Sequence, residues 1–409
     1  MAFLSLLDER AKAKGSRDPL GFELVWSHFG RKVVGNLTTI TSSMDNFAVA
    51  LLGFYWANQL VPMGGEASAR HKEVRQVFLR YEQLTGYVRY YGKATDIMGI
   101  TRVTQRIHDD SFKITLGQST EQQILSDQAS YGLWGLYSSA ARDTGLAKGS
   151  DRLVTPLGEE IAQAIIKELS VADELFSLLT SKKPLDREQL ERMAESFMKA
   201  IHHKSVQEPL LEALMSGNDP QGVQHELWQV TQKIFSDGMK TPKNIEEFIN
   251  RVLKYKTSEH LTQYLHDILG IERLLVAANN LFQYCQRKDG ESLDDILKAL
   301  EGRYRYIHLP KSLPIDDFPR REQLESLLTA IRNDEIRRAI NEILRLNKEV
   351  MQQRSGAPWV EVESRRSLRV RVKSEKAELK SQSAIELQWD YDYFIGSFLN
   401  IASEHIGRR

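Results

Sequence analysis

The sequence predicts a mainly α-helical protein: a helical scaffold that embeds one small mixed module and carries a short β-hairpin near its C-terminus. Three observations predict it. Apolar residues recur every three or four positions through most of the 409 residues, as at Ile40, Met44, Phe47, Leu51 and Tyr55, which is the period of a helix face. Residues 109–166 break that rhythm with a succession of short elements. Near the C-terminus strict alternation takes over at Trp359-Val360-Glu361-Val362 and Leu368-Arg369-Val370-Arg371-Val372, the period of a half-buried strand. The chain divides accordingly into an N-terminal helical region (1–108), the module (109–166), a second helical region (167–307), and a last part (308–409) with linker, long helix, basic hairpin and final helix.

Taken in order, Asp18-Pro19-Leu20-Gly21 is a turn, and the run that follows it is apolar nearly all round through Phe54 and Trp56, a core helix stopped by Val61-Pro62-Met63-Gly64-Gly65. A helix over 71–91 repeats the stripe at Val74, Phe78, Tyr81 and Leu84, and the two predict a helical hairpin. In the module, Phe112-Lys113-Ile114-Thr115-Leu116 alternates like a strand, and Ser119 or Thr120 caps a helix over 121–127. A second helix over 131–144 ends at Gly145, Lys148-Gly149-Ser150-Asp151 turns a ribbon into Arg152-Leu153-Val154, and Thr155-Pro156 opens a third helix. Beyond it helices are expected over 159–179, from Arg187, after Thr241-Pro242-Lys243-Asn244, over 258–286 with Gly270 as a candidate interruption, and over 294–300. Three of the 11 prolines fall between 308 and 319, marking a linker. A charged helix over 320–353, the alternating hairpin and an amphipathic helix over 390–405 complete the chain.

Lys+Arg and Asp+Glu number 55 each, so no global field draws the protein to nucleic acid, and any DNA contact needs a local basic surface. An apolar fraction of 41% with 27% charged residues is that of a soluble globular protein. The single Cys285 excludes an intramolecular disulfide and a cysteine zinc site and reads as a packed thiol in a reducing cytoplasm. The N-terminal stretch meets charge at Asp8-Glu9-Arg10, unlike a secretory signal, and the most apolar run, 47–57, is about half a membrane span. A cytoplasmic protein without a membrane partner is expected.

Chemistry-bearing motifs are not found. There is no phosphate-binding Gly-rich loop and no Gly-x-Ser-x-Gly elbow. His202-His203 diverge on a helix, His225-Glu226 lacks the second histidine of a zinc-protease helix, and His260 and His266 share no face. Glu361-Val362-Glu363 with Lys373 has the wrong spacing for a metal nuclease. No catalytic residue, metal or cofactor is therefore predicted.

Strand, helix, turn, helix, ribbon, helix is the order of a winged helix. With Leu153-Val154-Thr155-Pro156-Leu157-Gly158, residues 110–165 resemble the winged-helix superfamily. The resemblance implies a second helix that enters a DNA groove or docks a protein. On that helix Leu133, Leu136, Tyr137 and Ala140 form a buried stripe, which leaves Ser138, Ser139 and Arg142 towards solvent, where they can meet phosphate or guanine. Lys148 and Arg152 flank the ribbon. A single basic residue, two glycines and Asp143 argue against a dedicated reading helix and for a protein-docking one.

A second basic set is Arg365, Arg366, Arg369, Arg371 and Lys373, five cations within nine residues. Alternation puts the last three on one face, which either tracks phosphates or pairs with Glu361 and Glu363 across the hairpin. The passage Arg354-Ser355-Gly356-Ala357-Pro358-Trp359-Val360-Glu361 resembles the ends of uncharacterised bacterial proteins encoded beside phage-defence ATPases and nucleases. The expected function is a non-catalytic accessory subunit that binds double-stranded DNA, or places a partner such as an ATPase or nuclease on it. The alternative is an adaptor that binds protein only.

Overall fold

The computed structural model describes residues 15–109, 112, 114–219, 221–236, 241–302, 308–363, 366–374 and 380–407. The chain is mainly helical, with two separate two-stranded antiparallel sheets. In chain order come α1 (Glu23–Arg31), α2 (Met44–Leu60), α3 (Ala67–Tyr91), α4 (Ile100–Ile107), α5 (Gln128–Tyr131), α6 (Leu133–Asp143), β1 (Ala147–Lys148) and β2 (Leu153–Val154). They are followed by α7 (Pro156–Glu168), α8 (Ala172–Leu178), α9 (Arg187–Ile201), α10 (Lys204–Ser216), α11 (Val223–Ser236), α12 (Ile245–Val252), α13 (Glu259–Cys285) and α14 (Leu293–Leu300). The last elements are α15 (Arg321–Arg332), α16 (Ile336–Gln353), β3 (Val360–Val362), β4 (Leu368–Val370), α17 (Gln382–Glu386) and α18 (Ile395–Gly407). No helix among the described residues is long and apolar enough to cross a membrane.

Two compact units result: Met1–Val33 with Pro242–Tyr393, and Val34–Thr241 with Phe394–Arg409. The boundaries expected near 108, 166 and 307 fall inside these units. Because each unit is closed by a segment distant in sequence, composition shifts along the chain do not mark the division.

In the unit built on Val34–Thr241, α2 is the central element. Ser43 caps it by accepting from the Asn46 N–H at 3.1 Å, and residues 44–54 are buried without exception. It packs on α3, α6 and α7, so the all-round apolar sequence has a neighbour on every side. A Cβ at Gly53 would lie 2.5 Å from the Tyr81 ring, so the glycine sets the close approach of α2 and α3. Arg89 donates to Asn46 Oδ1 at 2.8 Å and to Asp96 at 2.6 Å, while its Nε and the buried Tyr81 hydroxyl have no hydrogen-bond partner among the described residues. Glu82, at 2% exposure, accepts from the Leu133 N–H at 2.6 Å at the start of α6 and from Gln128 at 2.9 Å. Burial pushes its carboxyl up to about 7, against the pull of those hydrogen bonds.

In the other unit α13 is the spine, its buried face including Ile268, Ile271, Leu275 and Phe282. Glu272 is 1% exposed and accepts from Tyr393 Oη at 2.9 Å and from the Tyr391 and Asp390 N–H groups. Burial raises its carboxyl to about 8. Cys285 is buried, which pushes its thiol up to about 12, as a packed rather than reactive group requires.

Several expected elements are corrected. Residues 114–116 are not a strand: Ile114 and Leu116 are buried, but the stretch joins the rest of the chain through a backbone bond from the Leu185 N–H to Ile114 O at 2.7 Å, without a ladder, and an alternating run needs a partner strand to become one. Residues 121–127 do not form a helix: the Gln122 and Gln123 N–H groups bond Ser119 O without a helical ladder following, and Asp127 caps the next helix, α5. The helix expected over 131–144 is divided at Gly132, and that over 159–179 at Leu169, which leaves the helical region. The helix expected over 320–353 breaks at Asp334, whose φ is +59°. Gly270, by contrast, does not interrupt α13. The last helix starts at Ile395, after Tyr393 and Phe394 adopt positive φ.

Candidate nucleic-acid interface

The segment from α6 to α7 is held by local rules that the sequence displays. Gly145, at φ +78°, ends α6, with its N–H bonded to Arg142 O and the Leu146 N–H to Ala141 O, both at 2.9 Å, a Schellman stop. β1 and β2 pair antiparallel, Ala147 with Val154 and Lys148 with Leu153. Thr155 accepts from the Gly158 N–H at 3.2 Å and donates to Gly145 O at 2.7 Å, while Pro156 takes the first helical position of α7. A Cβ at Gly158 would lie 2.1 Å from Leu146 O. The Thr-Pro-x-Gly passage is thus a cap, a preset φ and a close backbone crossing.

Packing around α6 differs from the single buried stripe that periodicity suggests. Leu133, Tyr137 and Ala140 are buried and Leu136 is half-buried, but Trp134, Ser138 and Ala141 are buried too. The cause is that α2 and α3 flank the helix in addition to α5 and β1. Ser138, expected towards solvent, is 2% exposed: its hydroxyl donates to Trp134 O and accepts from Arg152 Nε at 2.7 Å. What α6 presents outward is the narrow strip of Gly135, Ser139, Arg142 and Asp143.

Arg152 is likewise turned inward. At φ +53° it lays its guanidinium on the Trp134 ring, 4.5 Å from the centroid, and donates to Ser150 O and to Ser138. Its pKa is lowered to about 10 by burial first and then by Arg142 and Arg75, with Asp151 opposing. It remains charged near neutrality. Asp151 is bound by Arg70, which is 8% exposed and also donates to Asn58 Oδ1 at 2.8 Å. Asn58 Nδ2 in turn holds Asp151 O at 3.1 Å and Arg152 O at 3.3 Å. Arg142 and Lys148 are exposed, and among the described residues no carboxylate lies within ion-pair distance of Arg75, Arg142 or Lys148. The structure thus gathers Arg142 and Arg152 with a residue that sequence reasoning missed, Arg75 on α3. In the sequence it is only an arginine next to the apolar Val74, and it gains meaning once α3 lies beside the turn of the hairpin, where Arg70 binds Asp151.

The second basic set, in the other unit, has a different fate. β3 and β4 pair in the register Val360 with Val370, Glu361 with Arg369 and Val362 with Leu368. Leu368 and Val370 are buried and Arg369 is exposed, as alternation predicts. Each of the three outer-face cations has a carboxylate: Arg371 with Glu361 at 2.6 Å, Arg369 with Glu363 at 3.7 Å, and Lys373 with Asp289 at 3.5 Å. Asp289 accepts from the Val370 N–H at 2.9 Å, and that bond, ahead of Lys373, holds its carboxyl below the usual range. Arg366 is exposed at φ +60° and Arg365 lies outside the described residues. Trp359 is buried against α16, its N–H bonded to Asn347 at 2.8 Å.

His202 contacts Asp45 at 2.8 Å and His225 contacts Ser216 at 3.0 Å. Among the described residues no group of three His, Cys, Asp or Glu side chains is placed to hold a metal. Comparisons with protein families, curated proteins and solved structures find no match to this chain.

Proposed function

We propose that the chain is an accessory subunit of a bacterial multi-protein system that contacts the phosphate backbone of duplex DNA through Arg75, Arg142 and Lys148, beside the inward-turned Arg152. The observation that supports this most is a surface whose cations have no carboxylate to spare, in a protein with equal numbers of acidic and basic residues. In this reading α6, the β1–β2 ribbon and α7 act as the helix, wing and following helix of a winged-helix module. Because α6 is enclosed on most sides, the contact is to phosphates rather than base edges, and binding is indifferent to sequence. The link to phage defence, and to an ATPase or nuclease partner, rests on the resemblance of residues 354–361.

The test is duplex binding by fluorescence anisotropy across a salt series. Each phosphate contact contributes a slope of about −0.9 in log K against log salt, so a steep slope that is equal for unrelated duplexes is expected. No binding at low salt overturns the proposal. A protein-only adaptor is the second reading, favoured by the same enclosure of α6 and by large apolar side chains left exposed on its sequence neighbours, Tyr131 at 63% and Leu157 at 38%.

A further inference from the structure

In the unit built on Met1–Val33 and Pro242–Tyr393, one face of α13 and the segment 310–316 line a cavity of about 440 Å³, within the size range of small-ligand sites. Helical spacing places Gln263, Asp267, Gly270 and Ile271 on this face. Asp267 lines the cavity yet is only 9% exposed. The one hydrogen bond to its carboxylate among the described residues comes from Gln263 Nε2 to Oδ1, at 2.8 Å. Its second oxygen, Oδ2, has no such partner.

The nearby cation does not fill that role. Lys32 is bound to Asp316 at 2.7 Å, with its ammonium 5.4 Å from the Tyr264 ring and 5.5 Å from that of Phe29. Among the described residues no cation lies within ion-pair distance of Asp267, although Lys32 and His266 act on its carboxyl from further away, and a buried carboxylate without a paired charge is costly. Burial accordingly raises the carboxyl of Asp267 above its ordinary value. The other walls include His266, Ser312 and Tyr264, whose ring already carries the Lys32 ammonium and stacks on His260, and Pro310 and Leu313, an apolar strip suited to an alkyl stem.

We propose that this cavity binds an organic cation on an alkyl stem, an ammonium or guanidinium group, with Asp267 as its counter-charge. Free polyamines and the lysine or arginine side chains of a peptide share this chemistry. The site stands on observations separate from the DNA-contacting surface, and neither proposal depends on the other.

Isothermal titration of the full chain with spermidine, Nα-acetyl-arginine amide and the uncharged isostere Nα-acetyl-citrulline amide tests it. At least one cation should bind at least tenfold more tightly than the citrulline compound, and Asp267→Asn should remove that preference. Binding of spermidine alone assigns the site to free polyamines, and binding of the arginine compound to a peptide side chain. Melting curves establish that the variant folds, and the arginine–citrulline comparison on the unaltered protein needs no variant. Equal affinity for the charged and neutral probes, no heat from either cation at millimolar concentration, or an unchanged cation preference in a folded Asp267→Asn protein overturns the proposal.

Discussion

The β1–β2 and β3–β4 hairpins are both short, both antiparallel and both dressed with basic side chains, yet they differ in what surrounds those charges. At β3–β4 Arg369, Arg371 and Lys373 each have a carboxylate: Glu363, Glu361 and Asp289. At β1–β2 the one nearby carboxylate that pairs, Asp151, is taken by Arg70, and Arg75 and Arg142 act on Arg152 as like charges that lower its pKa. The richer basic run in the sequence is therefore the neutralised one. A count of positive charges along a strand measures supply, and availability depends on acids that other elements bring.

The contrast can be broken at its anchor. Arg70→Ala should destabilise the protein by about 3 kcal/mol, since it strands a largely buried Asp151 and frees the Asn58-bound turn. A denaturation midpoint matching the unaltered protein would mean that the β1–β2 turn is not held by that pair.

A second effect lies beneath α6. The folded-state pKa of Glu82, about 7, exceeds the ordinary value near 4.5, so its contribution is fully present below pH 4.5 and is lost as pH rises through 7. The loss is on the order of 2–3 kcal/mol. Melting at pH 5 and pH 8 should show a smaller decline in Glu82→Gln than in the unaltered protein, and equal declines would refute the assignment. Glu272 in the other unit, raised to about 8, should continue to lower stability over the same pH range in both proteins.

At the proposed DNA surface, replacing Arg75, Arg142 and Lys148 together by Gln should flatten the salt dependence of duplex binding by at most about 2.7 units of slope, about 0.9 for each phosphate no longer neutralised. Stability should barely move. An unchanged slope would remove this surface from consideration.

The smallest effect is expected where the sequence is most basic. Arg369, Arg371 and Lys373 replaced together by Gln should leave duplex affinity unchanged and lower stability by no more than about 1 kcal/mol per pair, because Glu361, Glu363 and Asp289 lose partners. A fall in affinity equal to that of the other triple variant would erase the distinction between the hairpins.

Much of the local architecture is legible in the sequence. Thr155, Asp186 and Asn244 cap helices where their residue types suggest, each accepting from an N–H three residues ahead. Gly145 ends α6, and the alternation at 368–370 yields a buried–exposed–buried strand. The candidate site is legible only in part. Arg142 and Lys148 are exposed as expected, whereas Ser138 is buried and Arg152 is folded onto Trp134, because periodicity along one helix is blind to the second and third helices packed beside it.

By itself the sequence determined the helical class, the caps and glycine stops, the enclosure of α2 and the two hairpins, since these depend on hydrogen bonds and apolar spacing within a few residues. Only the tertiary structure decided which charges are free. Arg70 meets Asp151 across 81 positions, Glu82 reaches the start of α6 across 51, and Lys373 finds Asp289 on a segment far from the hairpin in sequence. Charge neutralisation and desolvation act between groups that the chain brings together only after it has folded, so no local pattern encodes them.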